Sequence, residues 1–320
     1  MNILITGGAG FIGSHLTDEL LSVGHSVTVI DDLSTGSKDN IQQHFSNEKF
    51  TFIEEDIIDE TSSIEEHIAN HDMVFHLAAA VGVELVVNDP VHTLLTNVTG
   101  TEKVLKAAAK SKTRIIVAST SEVYGKSTKE TFSETDDLLI GSPYNSRWSY
   151  ACSKLLDEFL VMAFHQADKL DGCVVRFFNT VGPRQTGRYG MVLPRFVKAA
   201  LNNENLMVYG TGDQTRCFCH VHDTVQALKT LLERDDTAGK IYNIGNTEKI
   251  SINQLAERVI AQAKSDSVIE KIPYEKAYNK GFEDMLHRAP NISAITDDTN
   301  WKPVRNLEKI IADVIDFIKN

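Results

Sequence analysis

The chain has 320 residues, 42% of them hydrophobic, so it can bury a large core without disulfide bonds. Its 44 acidic residues outnumber 32 basic ones, and the resulting net charge of −12 disfavours nucleic acid and anionic membranes as partners. No apolar run approaches the ~18 residues of a membrane-spanning helix, and no signal-peptide pattern precedes the first predicted strand. We therefore expect a cytoplasmic protein.

The four cysteines, at positions 152, 173, 217 and 219, are too few for a disulfide framework. Cys217 and Cys219 are separated by one residue. This spacing suits side chains on alternate faces of a strand better than a shared metal ion, so we predict no metal site.

Short β-branched runs alternate with longer helical patterns in the first half of the chain. The predicted strands are residues 2–6, 26–31, 50–55, 73–77, 114–119 and 173–178. Helices are predicted at residues 11–23, 91–110 and 150–167. Strands this apolar, separated by helices, predict a doubly wound α/β fold whose parallel sheet is buried on both faces.

The pattern becomes irregular after about residue 180. Residues 240–244 have the composition of one more strand, so we expect residues 240–262 to return to the main sheet. The predicted organisation is a first domain at residues 1–180 and a smaller, interleaved α+β domain at residues 181–239 and 263–320.

A glycine-rich turn directly follows the first predicted strand and opens the first predicted helix. Gly7, Gly10 and Gly13 would let the backbone approach a pyrophosphate at the positive end of that helix. The second strand ends at Asp31 and Asp32, where a carboxylate can accept both ribose hydroxyls and would repel a 2′-phosphate. This context predicts NAD binding, against the alternative of an ordinary glycine turn beside a solvated acidic loop.

Tyr150 and Lys154 lie one turn apart on the same face of a predicted helix. A phenol is a poor base at neutral pH, but an adjacent ammonium and an oxidised nicotinamide favour the phenolate. An isolated pair with this spacing is more often a buried tyrosine beside a lysine stem. Here residues 118–122 also follow a core strand at its carboxyl end, where open α/β sheets bind ligands. Together these features predict that Tyr150 removes a hydroxyl proton while hydride leaves the same carbon.

The motifs together resemble the extended short-chain dehydrogenase/reductases, the NAD-dependent epimerase/dehydratase family. The matching positions are residues 7–13, 31, 56–57, 76–79, 97, 119–122, 150, 154 and 176–179. The resemblance implies a Rossmann domain with a smaller nucleotide-sugar domain, a tightly held NAD that is recycled, a UDP-linked sugar as substrate, and a homodimer formed by two helices of each subunit.

The same resemblance implies roles for single residues. Thr120 would help Tyr150 bind the reacting hydroxyl. Beyond the glycines and the acidic pair, the implied cofactor contacts are Phe11, Ile12, Asp56, Ile57, Leu77, Ala78, Ala79, Asn97, Ser119, Tyr150 and Lys154. The residues that would hold the diphosphate or sugar are Asn179, Arg184, Arg216 and Arg288. Arginine forks suit phosphate oxygens, although any one of them could instead form a structural salt bridge.

Enzymes of this kind first make a 4-keto sugar, and Ser121, Glu122 and Arg147 bear on the next step. Hexose 4,6-dehydratases carry an aspartate at the position of Ser121, and a hydroxyl cannot readily supply that acid. Residues 120–125 instead resemble nucleotide-glucuronate decarboxylases, in which the 4-ketone lets carbon dioxide leave without an acid. Glu122 could then return a proton to C5, and Arg147 could hold the sugar carboxylate. The alternative for Arg147 is a solvated residue at the start of the helix.

The resulting prediction is a UDP-glucuronate decarboxylase whose catalytic residues are Thr120, Ser121, Glu122, Tyr150 and Lys154. A nucleotide-sugar 4-epimerase is the main alternative, ahead of a dehydratase. A catalytically silent NAD-binding regulatory protein is the alternative from another class. Residues 184–188 and 281–285 depart from the decarboxylase pattern and leave the sugar and the nucleotide open.

Overall fold

The central sheet runs through the first core of the molecule and, within the described residues, has seven parallel strands. The computed structural model describes residues 1–81, 89–187, 191–277, 285 and 287–319. Its strands are β1 Asn2–Thr6, β2 Ser26–Asp31, β3 Phe50–Glu54, β4 Met73–His76, β5 Arg114–Thr120, β6 Gly172–Phe177, β7 Thr180–Val181, β8 Leu206–Tyr209, β9 Thr215–Cys217, β10 Cys219–His220, β11 Ile241–Ile244, β12 Lys249–Ser251 and β13 Ile269–Ile272. Its helices are α1 Phe11–Ser22, α2 Ile64–Ala69, α3 Pro90–Ser111, α4 Ser149–Asp168, α5 Val192–Leu201, α6 Val221–Leu232, α7 Ile252–Ala263, α8 Tyr274–Ala277, α9 Ser293–Thr299 and α10 Leu307–Lys319.

The strand order in the main sheet is β11-β6-β5-β4-β1-β2-β3, and each neighbouring pair is parallel. In the register, Leu4 of β1 lies between Thr28 of β2 and Val74 of β4. The doubly wound, Rossmann-type fold predicted from the sequence is confirmed. The six predicted strands of the first half and the three predicted helices end within one residue of the predicted positions.

Local signals set several helix ends. Asp89 caps α3 by accepting a hydrogen bond from the backbone N–H of His92 at 3.1 Å, and Pro90 occupies the first turn, where no N–H is needed. Ser251 and Gln254 form a reciprocal capping box at the start of α7. Of the three helices predicted from the sequence, α3 has a side-chain cap, whereas Gly10 and Trp148 begin α1 and α4 without one.

Alternate residues of the strands enter hydrophobic cores on opposite faces of the sheet. Ile3 and Ile5 pack in the core that contains α1 and α6. Leu4, between them, packs in the core that contains α3 and α4. Burial on both faces explains why these strands read as continuous apolar runs.

A second core lies outside the main sheet and contains α5, α7 and α10. Two helices, α6 and α7, pack in a different core from the one that the sequence predicts. Helix α6 lies in the segment predicted to form the second domain, but it packs against α1, with Leu228 in the sheet core. Helix α7 lies in the segment expected to return to the sheet but packs in the second core, so in this segment β11 joins the sheet and α7 does not. An apolar helix face shows that a helix is packed, but it does not show which layer it meets.

The structure also bears on membranes and metals. Among the described helices, none has the length and apolar character required to cross a bilayer. Cys217 and Cys219 are buried in β9 and β10, and burial raises the pKa of each thiol to about 12. The described residues contain no cluster of three or more potential metal ligands.

Candidate active site

A cavity of about 560 Å³ lies at the carboxyl ends of the main-sheet strands, between the sheet and the second core. This is where parallel α/β sheets bind ligands. The predicted site residues that line the cavity are Gly7, Gly10, Phe11, Ile12, Gly13, Asp31, Asp32, Asp56, Ile57, Leu77, Ala78, Ala79, Ser119, Thr120, Ser121, Glu122, Arg147, Tyr150, Lys154, Asn179, Arg216 and Arg288. The fold therefore gathers most of the predicted residues in one place.

Asn97 and Arg184 do not line this cavity. The Asn97 side chain accepts a hydrogen bond from the backbone N–H of Ala80 at 2.7 Å and donates one to Ser153 at 3.1 Å, so it holds α3 against α4 behind the cavity wall. Arg184 forms an ion pair with Asp18 at 2.8 Å. Residues 188 and 281–284, where the sequence departs from the decarboxylase pattern, lie outside the described residues.

The glycine turn leaves no space for side chains. Gly7 has a φ of +71°, and a Cβ there would lie 2.7 Å from the backbone nitrogen of Ala78. A Cβ on Gly13 would lie 2.3 Å from the carbonyl oxygen of Gly7. Gly10, the N-cap of α1, has no side chain to cap the helix, so its positive end opens toward the cavity. This cradle of bare backbone fits a dinucleotide pyrophosphate.

Asp31 is held rigidly at the end of β2. Its carboxylate accepts hydrogen bonds from the backbone N–H groups of Ala9 and Leu33, both at 2.9 Å. Burial raises the pKa of this carboxyl group, and the two hydrogen bonds oppose that effect. Asp32 beside it accepts hydrogen bonds from the backbone and hydroxyl of Ser34 at 3.0 and 2.7 Å. This acidic rim fits a ribose with free hydroxyls better than a phosphorylated one.

Helix α4 carries Tyr150 and Lys154 to the cavity, and Thr120 reaches it from the end of β5. Burial raises the pKa of Tyr150 above its ordinary value of 10, and the carboxylates of Glu122 and Asp157 raise it further, whereas the Thr120 hydroxyl lowers it. In the protein alone the phenol is therefore protonated. The sequence interpretation that Lys154 favours the phenolate overlooked Asp157, which accepts a hydrogen bond from the Lys154 ammonium at 2.6 Å.

Glu122 lies between two arginines beside Tyr150. It follows β5 in the 3₁₀ turn Ser121–Tyr124, and its carboxylate forms a short ion pair with Arg147 and a longer one with Arg288 at 3.5 Å. Burial opposes ionisation of this carboxyl group, but Arg147 and Arg288 outweigh it and lower its pKa to about 2. Arg147 is 6% exposed, which excludes the alternative of a solvated residue.

The remaining predicted substrate contacts surround this cluster. Arg288 donates a hydrogen bond to Asn179 at 3.4 Å, and Asn179 donates one to the carbonyl oxygen of Cys217 at 3.0 Å. Arg216 donates to the carbonyl oxygens of Thr215 and Met285, both at 2.9 Å. The guanidinium groups of Arg216 and Arg288 thus form a basic wall on the side of the second core.

A buried polar network that the sequence reasoning missed fixes the Ser121–Tyr124 turn. Arg176 forms two hydrogen bonds to Glu158, at 2.9 and 2.7 Å, and donates a third to the Tyr124 hydroxyl at 2.8 Å. Ser119 donates to Glu158 at 2.5 Å. The Arg176 position belongs to a recognised motif, but its partners Glu158 and Tyr124 come from two other segments, and no spacing pattern connects them.

Comparison with known proteins places the chain in a family. The model of the GDP-mannose 4,6-dehydratase family matches residues 4–314, so the chain belongs to this family of NAD-dependent epimerases and dehydratases. The resemblance seen in the sequence, the enzyme class and the NAD dependence are thereby confirmed.

Three known proteins are similar to this chain over nearly its whole length. The UDP-N-acetyl-α-D-glucosaminuronate decarboxylase of Bacillus cytotoxicus is 41% identical over 317 residues, which are 99% of this chain and 97% of that protein. UDP-glucuronic acid decarboxylase 1 of Arabidopsis thaliana is 33% identical over all of this chain and 70% of its own length. The UDP-glucuronic acid 4-epimerase of Bacillus cereus, solved with UDP-glucuronic acid and NAD, superposes with a TM-score of 0.90 at 28% identity, covering 100% of this chain and 99% of that one.

The ion cluster around Glu122 predicts a pH dependence of stability. The folded state lowers the Glu122 pKa from 4.5 to about 2, so its contribution to the free energy of unfolding is present above pH 4.5 and is lost as the pH falls toward 2. Between about pH 6 and pH 3, wild type should lose about 2 kcal/mol more stability than Glu122→Gln. Denaturant titrations at both pH values measure this difference.

The control is Glu102→Gln, which removes a glutamate that is 45% exposed and pairs with Lys106 on α3. This variant should lose stability between the two pH values in parallel with wild type, because exposed pairs contribute little. If Glu122→Gln also follows wild type, the arginines do not hold the Glu122 carboxyl group in its ionised form.

Proposed function

We propose that the chain is an NAD-dependent decarboxylase of a UDP-linked uronic acid and acts through a 4-keto sugar. The main support for this proposal is the position of the Glu122 carboxylate, which lies between Arg147 and Arg288 and beside Tyr150 in the cavity. Two arginines that already bind one carboxylate can bind that of a uronic acid. The decarboxylase relatives, at 33% and 41% identity over nearly the whole chain, support the proposal.

The arginine pair also explains how Glu122 can become a proton donor. With a pKa of about 2, its carboxyl group is ionised in the protein alone and has no proton to give. A substrate carboxylate that binds Arg147 competes with Glu122 for the same guanidinium and adds a like charge nearby. Both effects favour the protonated form of Glu122. Substrate binding therefore prepares the acid that the later step needs.

The proposed reaction begins with oxidation at C4, continues with loss of carbon dioxide and ends with protonation at C5. NAD, held by the glycine turn and Asp31, supplies reversible hydride acceptance at C4 when it is bound. Tyr150, as phenolate, takes the proton of the 4-hydroxyl group while Thr120 orients that group. The C5–C6 bond of the 4-ketone then breaks, its electron pair forms an enolate, and carbon dioxide leaves. Glu122 protonates C5, and Tyr150 returns its proton to the oxygen at C4 as C4 regains its hydride.

Ser121 bears on the competing elimination reaction. It lines the cavity and is 1% exposed, and its hydroxyl oxygen has no hydrogen-bond partner among the described residues. Loss of water from a hexose needs an acid to protonate the leaving hydroxyl, and a serine hydroxyl is too weak an acid for that purpose. This favours decarboxylation over dehydration.

A 4-epimerase is the second candidate, because the Bacillus cereus neighbour is an epimerase named for the same uronic acid. Epimerisation needs the ketone to turn over in the site and accept hydride on its other face. It does not need a proton at C5, so Glu122 would have no chemical role. The two candidates therefore differ in their products and in their dependence on Glu122.

Product analysis tests the proposal. The protein, with NAD, is incubated with UDP-glucuronate or with UDP-N-acetylglucosaminuronate, and products are followed by mass spectrometry and proton NMR. We expect loss of carbon dioxide from at least one substrate and no turnover by Tyr150→Phe, which should still bind NAD. An unchanged mass with inverted C4 would establish the epimerase, and no reaction with either acid would overturn the assignment to uronic acids.

Glu122→Gln should separate binding from turnover. The amide no longer competes with the substrate carboxylate for Arg147, so the variant should bind the uronic acid about tenfold more tightly. It cannot protonate C5, so decarboxylation should slow by roughly 100-fold or more, while oxidation at C4 remains. Calorimetry and rapid-quench product analysis measure the two effects. Undiminished decarboxylation would remove Glu122 from the mechanism.

Arg147→Ala should weaken recognition of the carboxylate specifically. The dissociation constant for UDP-glucuronate should rise by about tenfold or more, with a much smaller change for UDP-glucose, which has no carboxylate. Arg147→Lys, which keeps the charge but loses the fork, should fall between wild type and alanine. Equal effects on both ligands would show that Arg147 does not bind the carboxylate.

We also propose that the chain forms a homodimer through α3 and α4, which pack against each other. Val91, Leu95, Leu156 and Phe159 expose between 44% and 65% of their surface on these helices. Apolar side chains in such numbers are typical of a contact surface. The cytoplasmic location expected from the sequence stays a prediction.

A further inference from the structure

Asp157 lies outside the motif formed by Tyr150 and Lys154, but its carboxylate forms a buried ion pair with Lys154. Both residues lie on α4, three positions apart, and the ammonium donates to the carboxylate at 2.6 Å. The lysine side chain is 2% exposed and the aspartate side chain is fully buried. This ion pair lies one helical turn from Tyr150 and is removed from solvent.

The surroundings of the pair offer little other compensation for the ammonium. The Oδ1 atom of Asp157 has no hydrogen-bond partner among the described residues. Burial raises the pKa of this carboxyl group, and Lys154 and the Thr101 hydroxyl oppose that effect. Thr101 in turn contacts Nε2 of His76 at 3.1 Å, and Thr6 contacts its Nδ1 at 2.8 Å. Burial, followed by the Lys154 charge, lowers the pKa of His76 to about 3, so the imidazole is neutral.

A buried ammonium without a counter-ion tends to lose its proton, because a low-dielectric site disfavours the charged form. A neutral amine would no longer attract the phenolate that Tyr150 must form. It would also be free to adopt other side-chain conformations, since nothing else on α4 fixes its end. The carboxylate of Asp157 opposes both changes.

We propose that Asp157 is a positioning residue that keeps Lys154 charged and fixed beside Tyr150. The inference rests on the proposed function in one respect, that Tyr150 and Lys154 are the catalytic pair. Asp157 does not line the cavity, so it does not touch a ligand bound there. Burial and the Glu122 carboxylate raise the pKa of Tyr150, and the Asp157 carboxylate adds to this effect.

Other charged and titratable groups surround the pair and the neighbouring Tyr150. Lys154 acts on His76 at the end of β4, and Glu158 acts on Asp157. Glu122, Asp157 and Arg288 act on Tyr150. The other groups remain in place when only Asp157 is changed, so a difference between variants reports on that carboxylate.

The test is a titration of Lys154 in the protein without NAD or substrate. Lysine labelled with ¹³C at Cε is followed by NMR as the pH rises, and the Lys154 signal is identified by its loss in Lys154→Met. In Asp157→Asn, which keeps the shape but not the charge, the midpoint should lie at least about 1 pH unit below that of wild type. The alkaline limit of turnover should move in the same direction.

Two further variants complete the design. Asp298→Asn is the matched control, because Asp298 accepts a hydrogen bond from Lys240 at 2.7 Å away from the cavity. It should leave the Lys154 midpoint and turnover unchanged. Asp157→Glu keeps the charge and should give a Lys154 titration midpoint close to that of wild type. This variant provides the measurement if Asp157→Asn fails to fold.

An Asp157→Asn protein that is folded and shows the wild-type midpoint would overturn the inference, as would a lowered midpoint in Asp157→Glu. Because this titration uses no substrate, its result is independent of the product analysis. A protein that fails to decarboxylate any uronic acid could still show the shift. A protein that does decarboxylate a uronic acid could equally show no shift of the Lys154 midpoint.

Discussion

Burial of the parallel sheet on both faces is the constraint on which the rest of the structure depends. Ile3 and Leu4 are adjacent in sequence, yet they pack in different cores on opposite sides of β1. Such a sheet requires helical crossovers, which turn every strand in the same direction. The carboxyl ends of β1, β2, β4, β5 and β6 therefore lie along one edge, and the loops after them supply the floor of the cavity.

Charges buried along that edge give the site its chemistry. Removing a charge from water is costly unless a partner is close, and each buried charge discussed above has one. Glu122 lies with Arg147 and Arg288, Lys154 with Asp157, and Glu158 with Arg176. The two arginines hold the pKa of Glu122 well below its ordinary value, so this carboxyl group is ionised in the resting protein. A ligand that brings its own charges, such as a uronic acid, changes this state where it binds.

The second core completes the site from the opposite side. Arg216 in β9 and the segment that contains Arg288 face the ends of β5 and β6 across the cavity. Glu122 comes from the sheet and Arg288 from beyond α8, so the central ion cluster joins both parts of the molecule. Reactive chemistry and anion binding thus meet at the boundary between two independently packed cores.

The sequence by itself determined the strands and helices of the first half, the glycine turn, Asp31 and the pairing of Tyr150 with Lys154. These features follow from periodicity and from contacts within a few residues, which a linear pattern can show. Only the tertiary structure decided that α6 packs on the sheet, that Arg184 and Asn97 stay out of the cavity, and that Arg147 and Arg288 hold Glu122 ionised. Each of these depends on which distant segments share a buried, low-dielectric space, and no local pattern encodes that arrangement.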